Sequence, residues 1–146
     1  MSLKHLLPSV HTIAILSSEE RIVKLQSDYW IGYSHAEQAL SRLENLLNCP
    51  KRIRMPNMLI IGPTNNGKTM IVEKFRRQHL PYESADKTHE IIPVLSVQMP
   101  SDPTIRRFYS AIISALGSPV STYSSTVKSE IMALKLLRAT QTKIII

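Results

Sequence analysis

Cysteine occurs once in this chain, at Cys49, which excludes an internal disulfide. No second thiol or paired histidine stands at zinc-ligand spacing around it, so a structural zinc site is excluded on the same ground. Long apolar runs are also missing. Nothing approaches the roughly 20 residues that a membrane span requires, and the apolar stretches near the start are cut by Pro8, His11 and Ser17. We therefore expect no signal peptide, no membrane segment and a reducing, cytoplasmic setting. Acidic residues are few, 11 against 18 Lys+Arg, and the resulting net charge of +7 is compatible with a polyanionic partner but is weak evidence by itself. The cations gather as Lys51, Arg52 and Arg54, then Lys74, Arg76, Arg77 and His79, then Arg106 and Arg107. Each group reads equally well as a solvated face.

What is present suits a globular domain: 43% of the residues are hydrophobic and 20% charged, which argues against wholesale disorder. Ser17 and Glu20 have capping-box spacing, and Ile22, Leu25 and Tyr29 follow at helical intervals, predicting a helix over about 19–29. Ser34 and Glu37 repeat the signature ahead of a face made of Ala36, Ala39, Leu40, Leu43, Leu46 and Leu47, ending before Pro50. Between them lies the non-helical link Trp30-Ile31-Gly32-Tyr33. Met58 to Ile61 reads as a buried strand ending at Gly62, and a helix over about 68–79 turns Ile71, Val72 and Phe75 inward. Ile91 to Val97 reads as a second buried strand. Asp102-Pro103 caps a helix carrying Ile105, Phe108, Ile112 and Leu116, stopped by Gly117.

Ser118 to Ser125 reads as a loop, Val127 to Arg138 as a helix with Ile131, Leu134 and Leu137 on one side, and Lys143 to Ile146 as a strand interrupted in mid-course. Alternation of strand and helix predicts an α/β fold with a parallel sheet, its core incomplete and preceded by an N-terminal helical segment.

Two of the four glycines fall in Gly62-Pro63-Thr64-Asn65-Asn66-Gly67-Lys68-Thr69, which satisfies G-x-x-x-x-G-K-[ST] between a predicted strand and a predicted helix. The spacing has a mechanical reason. Backbone N–H groups of such a loop must turn inward to phosphate while the next helix presents its positive end, so glycine is wanted where a side chain would obstruct the approach. Asn65 and Asn66 tolerate left-handed backbone geometry better than most residues. Residues Gly62 to Met70 are thus the expected ATP-binding stretch, with Lys68 toward the β and γ phosphates and the Thr69 hydroxyl as Mg2+ ligand. Hydrolysis needs further acidic groups at the end of a later apolar strand, and none follows Ile146 here. ATP binding with little turnover is the expectation.

Trp30-Ile31-Gly32-Tyr33, then Lys51-Arg52-Ile53-Arg54-Met55-Pro56-Asn57, then Thr64-Asn65-Asn66-Gly67-Lys68-Thr69 together resemble the TniB family of transposition ATPases, over about 19–146. Pro93 to Pro100, Arg107-Phe108-Tyr109 and the terminal apolar run continue the resemblance. TniB and its relative TnsC are AAA+ proteins that assemble on DNA with ATP and connect target selection to a DDE transposase. The resemblance implies a P-loop NTPase core of AAA+ type, with residues 1–50 as a helical segment carrying an adenine-side linker and 51–146 as the N-terminal part of the ATPase core, truncated before the Walker B motif. It implies that Ile31, Gly32 and Tyr33 line the base pocket; the alternative is that Trp30 and Tyr33 anchor two helices. It also implies DNA contact near Arg106 and Arg107, a transposase and a target-selection protein as partners, and a homo-oligomer at full length. Two other readings stand beside it: a non-catalytic nucleotide- or partner-binding fragment, and a P-loop ATPase of another DNA-processing branch.

Overall fold

The computed structural model describes residues 6–120 and 125–146, so part of the expected Ser118 to Ser125 loop lies outside the described residues. The chain forms two compact units, Met1–Ile31 and Gly32–Ile146. Among the described residues no helix is long and apolar enough to cross a membrane.

In the first unit a 3-10 turn at Pro8–Val10 leads into α1 (His11–Ala14), followed by α2 (Ser18–Gln26). The Ser17–Glu20 capping box forms as its spacing requires: the Ser17 side chain accepts from the Glu20 N–H, and the Glu20 carboxylate accepts from the Ser17 N–H at 3.0 Å. Those hydrogen bonds hold the Glu20 carboxyl below its ordinary range. One expectation fails here. The helix stops at Gln26 instead of reaching Tyr29, because Ser27 adopts an extended backbone and its hydroxyl donates to the Lys24 carbonyl. Of its apolar residues, Ile22 is 53% exposed and Leu25 is 85% exposed.

The second unit opens with α3 (Ser34–Leu47), which packs on α4 (Lys68–Gln78). Helical periodicity in α3 is honoured, with Ala36, Leu43 and Leu47 buried and Ala39, Leu40 and Leu46 half-buried. The second capping box is not. The N-cap is the extended Tyr33, without a side-chain cap, and Ser34 is already the first helical residue. From α4, Ile71 and Phe75 enter the core, and full burial of the Phe75 side chain stabilises the unit by about 1.5–3 kcal/mol. A polar tie joins the two helices where the His79 Nε2 meets the Glu44 carboxylate at 2.7 Å, with the His79 ring 4.8 Å from that of Phe75.

β1 (Tyr82–Glu83) and β2 (Glu90–Ile91) form an antiparallel hairpin that the periodicity did not reveal. Its turn is held by the Asp86 carboxylate, which accepts from the Ser84 hydroxyl and, at 3.3 Å, from the Thr88 N–H. The Asp86 carboxyl is pushed down to about 2 by the Ser84 bond first and the Thr88 bonds next. β3 (Val94–Leu95) pairs in parallel with β4 (Ile144–Ile145), joining Val94 to Ile144 and Leu95 to Ile145. The single strand expected over Ile91 to Val97 is therefore divided between two sheets. Pro93 sits at the break, where it has no N–H for a ladder, while its carbonyl accepts from Ile144 at 3.1 Å.

Between β3 and β4 in the chain run α5 (Ile105–Ala115) and α6 (Thr126–Ala139). Leu95, Ile112, Ile113 and Ala133 form the core cluster here, with Phe108, Leu136 and Leu137 against it. Thr104, not Asp102, caps α5, its hydroxyl accepting from the Arg107 N–H at 3.2 Å. Gly117 donates to Ser114 and Ser118 to Ile113, the paired bonds of a Schellman end. Ile105, expected inward, is 67% exposed. In α6 the face is rotated from the expected one: Ile131 is 50% exposed and Leu134 is 43% exposed, while the small residues Ser129 and Ala133 are buried. Small side chains let two helices approach closely, and that approach selects the face the larger residues flank.

Among the described residues the extended parallel sheet expected for the fold is present as the single pair β3/β4. Met58 to Ile61 enters no ladder; Met58 and Ile60 are half-buried while Leu59 is 80% exposed and Ile61 is 81% exposed. A strand needs a neighbouring backbone to bond, and no described strand lies in register with this segment.

Candidate nucleotide-binding site

The loop from Gly62 to Gly67 joins the extended 58–61 segment to α4. Its turn uses two left-handed residues, Asn65 at φ 59° and Gly67 at φ 71°, the latter being the N-cap of α4. Ile71 N–H bonds back to the Gly67 carbonyl at 3.0 Å, so the earlier N–H groups of the first turn remain directed out of the helix end. That end carries partial positive charge suited to an anion.

Lys68 folds over the loop. Its Nζ donates to the Gly62 carbonyl at 2.7 Å and to the Pro63 carbonyl at 2.6 Å, leaving one of three ammonium donors for another acceptor. A Cβ at Gly62 would stand 3.3 Å from the Asn66 Nδ2, a tight contact, and 3.9 Å from the Lys68 Cδ, an ordinary one. Thr64, Asn65 and Asn66 are exposed, as is Thr69, whose hydroxyl is available to a hydrated cation. Pro63 is exposed and Met70 half-buried.

The residues of the Trp30 to Tyr33 link part company. Ile31 ends the first unit and is 73% exposed, whereas Gly32 and Tyr33 open the second. Within that second unit the Tyr33 hydroxyl reaches the loop, 3.4 Å from where a Gly67 Cβ would be. At 43% exposure Tyr33 is no core anchor.

A cavity of about 560 Å³ borders the loop on the Lys68 and Thr69 side. Leu43 and Leu46 of α3, Met58 and Ile60, Val72 of α4, and Lys143 to Ile146 line it. The terminal apolar strand thus lines the same cavity as Thr69, in keeping with its reading as the later apolar strand of such a site. Among the described residues no Asp or Glu side chain lines this cavity, and no three His, Cys, Asp or Glu side chains converge. A more open groove of about 490 Å³ in the first unit, over Leu16 and Val23, contains no residue of the loop.

The chemistry of these donors fits a nucleoside triphosphate with magnesium: a helix N-terminus, a lysine ammonium and a threonine hydroxyl are gathered at one turn whose backbone is already left-handed where close approach requires it. Of the basic candidates elsewhere, Arg107 pairs with Asp102 at 3.2 Å and Arg106 is engaged in an interaction of its own. Residues 21–146 match the family model described as "Bacterial TniB protein".

Proposed function

Because the chain belongs to the TniB family, and so to a transposition-associated group of proteins, we propose that it is an ATP-binding transposition regulator of AAA+ type that binds DNA and links a target site to a DDE transposase. The observation that carries the nucleotide half of this reading is the loop itself, with Asn65 and Gly67 left-handed and Lys68 closed over Gly62 and Pro63. Mg-ATP at this turn would bring a polyanion whose charge is met by the α4 N-terminus. Lys68 would exchange its loop carbonyls for phosphate oxygens, and Thr69 would hold the metal. Gly62 and Gly67 would keep the approach clear. Tyr33, and with it Gly32, would serve the base side.

The DNA half rests on the family and on net charge +7. Resemblance points to Arg106 and Arg107 as its contacts, and Arg107 is still 53% exposed beside Asp102, open to exchange for a phosphate. A transposase, a target-selection protein and further copies of the protein are the partners this role implies. The same loop also supports a narrower reading, nucleotide binding with little turnover, favoured by a cavity wall at Thr69 that holds no Asp or Glu side chain among the described residues.

Calorimetric titration of the whole chain with ATP and magnesium tests the core of the proposal. Saturable binding with a stoichiometry near one is expected, and absence of binding at millimolar ATP would remove the nucleotide reading.

A further inference from the structure

We propose that the segment at residues 51–54 is the main DNA-phosphate contact of this chain, ahead of the arginines at the start of α5. The inference rests on the DNA-binding reading above and names the residues that would carry it.

Three cations, Lys51, Arg52 and Arg54, stand within four residues, and all are exposed. Among the described residues none of their side chains makes a hydrogen bond or ion pair. In the two other basic clusters of the chain the cations are committed. Arg76 and Arg77 both hold Glu73 at 2.8 Å, Arg107 holds Asp102, and Lys74 and Arg106 have interactions of their own. A cation already paired must give up its carboxylate to take a phosphate, whereas an unpaired one gains the contact outright and releases a counterion.

Acidic charge is also absent nearby in the chain: from 45 to 72 there is no Asp or Glu, while Lys51, Arg52, Arg54 and Lys68 all fall in that span. The segment has a shape of its own. The Arg52 N–H rests 3.3 Å from the Met55 Sδ, and Ile53 at the bend is fully exposed, so the cations are displayed on a tip and not laid along a packed face. Two arginines on a protruding segment suit phosphate oxygens, which accept the guanidinium fork. Such contacts position a protein on duplex DNA without reading its sequence.

The test is the salt dependence of binding to a fluorescently labelled duplex DNA, measured on the whole chain. Lys51→Ala with Arg52→Ala and Arg54→Ala is expected to lower the slope of log K against log salt by about 2 to 3, with Arg106→Ala/Arg107→Ala changing it less. Arg52→Lys with Arg54→Lys keeps the charge and should keep most of the slope. Circular dichroism and ATP binding check that each variant is folded. If the triple variant retains the wild-type slope while the wild type binds DNA, the inference is overturned and the DNA reading stands. If the wild type binds no duplex DNA at low salt with ATP present, the DNA reading falls and takes the inference with it.

Discussion

The Tyr33 hydroxyl stands 3.4 Å from the position a Cβ on Gly67 would take, so the N-cap of α3 lies next to the N-cap of α4. A methyl group at that distance is in ordinary contact, but a φ of 71° is not an ordinary conformation for a side-chain-bearing residue. The two effects make different predictions. Gly67→Ala should lower stability by about 1–2 kcal/mol through the backbone, and adding Tyr33→Phe should not restore it. Urea midpoints of the single and double variants decide between them; recovery in the double variant would show that contact, not φ, sets the cost.

Lys68→Ala should weaken ATP binding by roughly tenfold to a hundredfold, the loss of a charge-assisted contact worth about 1.5–3 kcal/mol. The same substitution also removes the bonds to Gly62 and Pro63, so the loop should become more mobile without nucleotide. Calorimetry reads the first effect and amide exchange at residues 64–69 the second. Equal ATP affinity in wild type and variant would end the assignment of this loop.

Magnesium-dependent ATP turnover by the pure chain should stay near the level of the Lys68→Ala variant, because no Asp or Glu side chain among the described residues lines the cavity at Thr69. Phosphate release measured in a coupled assay checks this. Turnover clearly above that baseline would require an acid placed elsewhere to orient water.

The packing of α6 makes a prediction opposite to its leucine periodicity. Ala133 is fully buried, so Ala133→Leu should overpack the contact with α5 and cost about 1–3 kcal/mol. Ile131 is 50% exposed, and Ile131→Ala should cost well under the ~2–5 kcal/mol typical of a core isoleucine. Denaturant titration of the two variants tests the face directly, and a larger cost at Ile131 would restore the periodicity-based face.

Glu73 gives a pH dependence of defined sign. Its carboxyl is pushed down from 4.5 to about 2 by hydrogen bonds from Arg76 first and Arg77 next, with weaker attraction from the same two charges. A depressed carboxyl contributes stability that is complete above its unfolded pKa and is lost as pH falls through the folded one. The stability difference between wild type and Glu73→Gln should therefore be constant above about pH 4.5 and vanish toward pH 2. It should be small and salt-sensitive, since the group lies at the surface. Unfolding midpoints across that range measure it; a difference that persists unchanged at pH 2 would contradict the pairing.

Residues that act through their neighbours in the chain are legible in the amino-acid sequence itself. Ser17 and Glu20 form their capping box because both partners lie within one helical turn, and the Gly62 to Thr69 loop takes its shape from left-handed positions at Asn65 and Gly67 that local sterics permit. The terminal isoleucines are recognisable as a strand for the same reason, and β4 forms where they stand. Net charge and the three basic clusters can be counted, but which cations are already paired cannot, because the Arg107 partner Asp102 and the Glu73 shared by two arginines depend on how side chains turn.

Tertiary structure alone decided the rest. Periodicity offered Ile131 and Leu134 as an inward face, and the close approach of α5 chose Ser129 and Ala133 instead. An apolar run at 58–61 specified extended backbone, but a ladder needs a second backbone in register, and that is a property of neighbours in space. The division of 91–97 between two sheets and the meeting of Tyr33 with Gly67 each join residues far apart in the chain. Local sequence sets conformation through nearest-neighbour sterics and hydrogen bonds. Which surfaces then meet depends on shape and burial summed over the whole fold.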